Sequence, residues 1–124
     1  MTLAKLMFLA NVLLAGWISL NCMFTPLKAK TVVFEDAFQY SESIRLVGCL
    51  WFGIFLLSVF GLVFTEKMNL VFLFQFIYKG SWLLLVALPA IKSGSVFPKG
   101  MAIYFLIWVL ILPFVIDWKN TFSY

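Results

Sequence analysis

Four apolar runs of bilayer length or nearly so, separated by more polar connections, constrain this chain more than any other feature. A helix rises about 1.5 Å per residue, so roughly 20 apolar residues cross the hydrocarbon core of a membrane. The runs cover residues 3–24, 44–64, 68–91 and 100–116. The last is the shortest and contains Pro113, which is tolerated near a span end and kinks the final turn. Of the 124 residues 65% are hydrophobic and only 11% charged, with a mean hydropathy of +1.08. A water-soluble domain carries about a quarter charged residues, so this chain cannot cover a water-facing surface. The expected fold is all-α: a single domain over 1–124, an integral membrane antiparallel four-helix bundle.

The connections refine that expectation. Ser41, Glu42 and Ser43 open the second run with helix-start residues and an acid in the first turn. Thr65, Glu66 and Lys67 make a tight turn, so the second and third runs should be antiparallel neighbours. Residues 92–99 form a short polar loop, and 25–43 is the long connection. Within it Val33, Phe34, Ala37 and Phe38 share one helical face, with Glu35, Asp36 and Gln39 opposite. This spacing predicts a short amphipathic helix over 32–40, lying on the membrane with Phe34 and Phe38 in the lipid interface. The first run is too long for a signal peptide, holds Asn11, Trp17 and Asn21, and lacks a small-x-small cleavage site; it reads as a retained span. Four spans place both termini on one side, with Lys5, Lys67 and Lys119. Lys28, Lys30, Arg45, Lys92 and Lys99 lie opposite, and three basic residues against five do not fix the orientation.

Composition also removes function classes. There is no His, the commonest metal ligand and general base, so no metal site and no haem are expected. The two cysteines, Cys22 and Cys49, form no CxxC. They act either as small buried hydrophobes or as a pair near the first-loop side of the membrane. The net charge is +4, but the basic residues are scattered at span ends, where they meet phospholipid headgroups rather than nucleic acid. Ser81 lies two residues from Lys79, on a different helix face, so a Ser–Lys dyad is not indicated. No catalytic set and no cofactor are expected, and the chain is not read as an enzyme.

One residue stands apart. Lys79 falls at the middle of the third run, where a charge costs roughly 2.5–3.5 kcal/mol on insertion scales. The acids Glu42, Glu66 and Asp117 all sit at span ends. Glu66 is 13 residues away, about 20 Å along a straight helix. Gln75 shares the face of Lys79 one turn earlier, Trp82 extends that face and Tyr78 borders it. Asn11 lies near mid-depth in the first span and reaches Lys79 if the two spans touch. Three readings stay open: internal packing against Gln75, Asn11 or backbone carbonyls; a partner subunit's acid; or the polar end of a ligand. The candidate binding residues are therefore Lys79, Gln75, Tyr78, Trp82 and Asn11.

The stretch SIRLVGCLWFGIFLLSVFGL, residues 43–62, with Arg45 opening the span and Gly48 and Gly53 following, resembles the DoxX-like group of small four-span proteins. The Phe24-Thr25-Pro26 turn after the first span is similar too. Together these cover about a third of the chain. The resemblance implies the four-span fold and an accessory role beside membrane oxidoreductases, and carries over no catalytic residue. The function expected is an accessory or assembly subunit of a larger membrane complex, in contact with the bilayer and with other subunits or copies of itself. The alternative is a binding or transport module for a lipophilic ligand such as a quinone or lipid. The expected setting is a bacterial inner membrane.

Overall fold

The computed structural model describes residues 2–122, and among them every regular element is a helix. Helix α1 (Leu3–Phe24) starts at Thr2, whose hydroxyl accepts the Lys5 amide at 3.2 Å, as a helix N-cap does. Short α2 (Pro26–Val32) follows at once, with Pro26 in the first turn where its missing N–H costs nothing. Then come α3 (Ser43–Val63) and α4 (Asn69–Trp82). A π-helical turn, Leu83–Ala87, leads without a break into α5 (Leu88–Ser93). Helix α6 (Lys99–Val115) and the single turn α7 (Trp118–Thr121) complete the chain. Leu3–Phe24, Ser43–Val63 and Asn69–Ser93 are long and apolar enough to cross a membrane, and Lys99–Val115 is apolar but shorter.

The side chains point as a lipid solvent requires. Fewer than a third of the residues in each of the three long helices are buried inside the chain. Leu13, Leu85 and Phe114 face outward, the last 84% exposed. In water such a surface would aggregate; in hydrocarbon it costs nothing. This is a membrane protein.

The π-helical turn has a local cause. Pro89 lacks an N–H and its ring would press on the carbonyl of Leu85, four residues back. Widening the turn just before it lets one helix continue through the proline.

Packing is organised by glycine on one side and by rings on the other. Helix α1 lies along α3 at close range. A Cβ on Gly61 would stand 2.6 Å from the Phe8 ring, and one on Gly48 would stand 2.7 Å from the Cys22 Cβ. Helix α4 packs on α6. Phe8 stacks on Phe72 at 4.2 Å, which joins α1 to α4. At one end Asn69 accepts the Asp117 amide at 2.9 Å and donates to the Thr121 hydroxyl, tying the start of α4 to the end of α6. Lys5 shares a shallow depression with the α3–α4 turn at this same end. The opposite end brings the 25–43 connection to the start of α6, where the Gly100 amide donates to the Glu35 carboxylate at 2.6 Å. The long helices thus alternate in direction.

One expectation needs correction. The short helix of the first connection lies at Pro26–Val32, not 32–40. It stops because Glu35 and Asp36 adopt left-handed backbone, φ 55° and 54°, which an L residue enters at a cost of roughly 1–2 kcal/mol. Both are held there by their side chains: Glu35 caps α6, and Asp36 accepts from Lys30 at 2.8 Å and from Thr31 at 3.1 Å. The segment 33–36 therefore forms a strap. Phe34 is buried and stacks on Trp51 at 6.1 Å, so it faces protein rather than lipid; Phe38 is exposed. Of the two readings of the cysteines the unpaired one holds: both are free, Cys22 buried and Cys49 exposed.

The close glycines yield a paired outcome. Gly61→Ala should destabilise the protein by about 1–3 kcal/mol, because the stacked, fully buried Phe8 ring has no room to give. Gly53→Ala, where nothing lies within 4 Å, should be neutral or stabilising by up to about 1 kcal/mol through helix propensity. Unfolding titrations in mixed micelles measure both. The strap has its own pH response. The Lys30 ammonium bonded to Asp36 holds this carboxyl below the usual carboxylate range. A carboxyl lowered on folding contributes to stability above its unfolded value, about 3.9, and loses that contribution as pH falls through its lower folded value. Protection of the 33–37 amides, measured as exchange relative to the intrinsic rate at each pH, should therefore fall as pH is lowered below about 4, while α1 and α3 keep theirs.

Candidate functional site

Lys79 is 2% exposed and lies on the α4 face turned toward α6. Its ammonium sits 4.4 Å from the Tyr104 ring centroid, 4.5 Å from Phe105, 5.0 Å from Trp108 and 5.5 Å from Tyr78. Residues 104, 105 and 108 span one turn of α6, so a single helix face supplies three of the four rings. Among the described residues the ion pairs are Lys30–Asp36 and Arg45–Glu42, and no carboxylate pairs with Lys79. The negative faces of the rings replace it. A desolvated cation–π contact is worth about 2 kcal/mol, so several together offset an insertion cost of roughly 2.5–3.5 kcal/mol.

One turn before Lys79, Gln75 is equally buried, but it does not serve the ammonium. The Asn11 amide donates to Gln75 Oε1 at 2.9 Å, and the Gln75 amide donates to Asn11 Oδ1 at 3.0 Å. This reciprocal pair satisfies both groups and fixes the register of α1 against α4. The first and third long helices touch, but Asn11 meets Gln75 rather than Lys79.

Two cavities adjoin these residues. The inner one is a chamber of about 30 Å³, lined by Gln75, Tyr78, Lys79, Tyr104 and neighbours. It has room for a single water. The outer one is a groove of about 280 Å³, half open at the surface of the helices, with Phe34, Phe74 and Trp82 among its walls. Trp51, Tyr78, Met101 and Phe105 line both, so they form the partition between groove and chamber. Trp82 and Tyr78 each meet Phe105 edge to face, at 5.2 and 6.0 Å, which braces that partition.

The five candidates separate accordingly. Lys79, Gln75 and Tyr78 line the chamber, Tyr78 and Trp82 line the groove, and Asn11 lines neither but holds Gln75. Trp51, Phe34, Tyr104, Phe105 and Trp108 were not expected at the site. The i, i+4 spacing of Tyr104 and Trp108 was the available signal for a ring face on the last helix. Ser58, fully buried, has the one buried side-chain polar atom without a partner among the described residues, and it lines neither cavity.

No family model, curated protein or solved structure matches the chain. The DoxX-like resemblance therefore rests on its motif residues alone.

The amide pair can be tested as a unit. Asn11→Leu leaves the Gln75 amide buried and unpaired and should cost about 1–3 kcal/mol. Adding Gln75→Leu should recover most of that loss, since removing both partners is close to neutral. A double-mutant cycle in micelles reads the difference; additive losses would show that the pair is not coupled.

Proposed function

We propose that the chain is a multi-pass, four-span bundle that binds a lipophilic molecule entering sideways from the bilayer. The observation that carries this is the shared partition. An apolar groove open at the lipid-facing surface is backed by the wall behind which Lys79 and Gln75 lie. Ligand sites combine a mostly apolar cavity with a few convergent polar groups, and this is the place among the described residues where the two adjoin. The Lys79 charge, screened by little but rings, places a positive potential behind the groove and favours a ligand whose electron-rich end points inward. The setting proposed is the inner membrane of a bacterium.

Lys79→Met separates the alternatives. The variant should fold, with equal or greater stability, because an apolar residue replaces a buried unpaired charge. Its content of extractable lipophilic compound, measured by mass spectrometry after gentle detergent purification, should fall severalfold. Unchanged content would show that Lys79 is packing only.

A second reading, the accessory subunit, draws support from two other glycines. Gly53 on α3 and Gly80 on α4 have nothing of this chain within 4 Å of a Cβ position. Small residues left open on a lipid-facing surface let a foreign helix approach closely. Lys79, enclosed by its own rings, is not the contact in that case. Gly53→Leu with Gly80→Leu should then release larger co-purifying proteins without loss of stability; retention of those proteins in the variant would sink this reading.

A further inference from the structure

Six of the ten residues lining the groove are aromatic: Phe34, Trp51, Phe74, Tyr78, Trp82 and Phe105. The other four are aliphatic or Met. None is charged. The strong hydrogen-bonding groups these side chains carry are two indole N–H groups, which only donate, and one phenol, which donates or accepts. We propose, building on the ligand-binding function above, that the groove takes a neutral, planar, conjugated ring bearing carbonyl acceptors and an apolar tail.

Each alternative class fits less well. A charged headgroup finds no counter-charge, because Lys79 stands behind the partition and not in the groove. A saturated acyl chain is served as well by Leu and Ile, and it gains nothing from ring faces. A planar ring gains the offset-stacked and edge contacts that aromatic pairs make. The volume, about 280 Å³, stands just under the range of small-molecule pockets, which starts near ~300 Å³. It admits one ring and the first atoms of its tail, and the open side leaves the rest of the tail in the bilayer. The strap closes one edge. Phe34 reaches the groove only because Glu35 caps α6 and Asp36 is paired to Lys30. A ring seated there would face the near-parallel Phe34–Trp51 stack, whose planes differ by 14°.

Decylbenzoquinone is a suitable probe, because quinones quench tryptophan and two of the five tryptophans, Trp51 and Trp82, line the groove. The full chain in detergent micelles is titrated with the probe and, separately, with brominated phosphatidylcholine. Saturable quenching by the quinone is expected, with the saturable part lost in Trp51→Phe/Trp82→Phe. Phe34→Ala should weaken the apparent affinity about threefold to tenfold, the worth of one aromatic pair. Phe74→Leu, at a half-exposed position where refolding is not at stake, should weaken it similarly. Circular dichroism reports whether each variant is folded. Linear quenching that is the same in all variants means partitioning into the micelle and overturns the proposal. Saturable quenching by the brominated lipid, with none by the quinone, overturns the ring class and leaves the ligand-binding function standing. Saturable quenching by neither probe overturns both.

Discussion

An ammonium group at the centre of a membrane helix needs somewhere to put its charge, and much of this structure is arranged around that need. Lys79 has no carboxylate partner among the described residues and no amide partner; it has four ring faces. Three come from one turn of α6, so the charge sets the rotation and height of α6 against α4. A slip of α6 by one residue would exchange Tyr104 and Trp108 for Phe105 and Val109 on that face and uncover the cation. The cage thus acts as a register pin, as a buried ion pair does elsewhere, but without an acid that would have to be buried as well.

A second pin lies one turn away. The Asn11–Gln75 pair locks α1 to α4 through two hydrogen bonds in hydrocarbon, where an unsatisfied amide is costly. The glycine contacts bring α1 to α3. Each long helix is therefore fixed to a neighbour by a different device: close backbone approach, an amide pair, and a cation in a cage. In a lipid solvent, where burying another leucine yields little, specific devices of this type carry the helix association.

How much of this is legible in the sequence differs by feature. The long helices follow from run length, and their ends fall within a residue or two of the expected places for Leu3–Phe24 and Ser43–Val63. That Lys79 faces protein follows from the cost of the alternative. The strap was misplaced because the apolar spacing of Val33, Phe34, Ala37 and Phe38 is compatible with a helix. Its conformation is decided instead by distant or semi-local partners, Gly100 for Glu35 and Lys30 for Asp36. Helical periodicity cannot report a contact between residues 65 apart in sequence. The cage was missed for a related reason. In a chain with 15 Phe and five Trp, the rings of the last span look like lipid-facing surface. Only the pairing of α4 with α6 shows which of them turn inward. Pro89 is a local signal that run length alone passes over: the third run reads straight through it, while the π-helical turn lies directly ahead of it.

Stability alone does not account for Lys79. Four aromatic rings would pack around a methionine without any charge to desolvate, and replacing buried ionic groups by apolar ones is often neutral or favourable. The cage compensates the ammonium but does not make it preferable to an apolar residue. A cation that the fold accommodates at a cost, set beside a small chamber and behind the wall of a lipid-facing groove, is what supports the ligand-binding reading proposed above. The rings confine the charge, the Asn11–Gln75 pair keeps Gln75 from neutralising its field by bonding to it, and the partition of Trp51, Tyr78, Met101 and Phe105 separates it from lipid. On that reading, what passes through the partition is electrostatic potential, which falls off slowly in a medium of low dielectric constant.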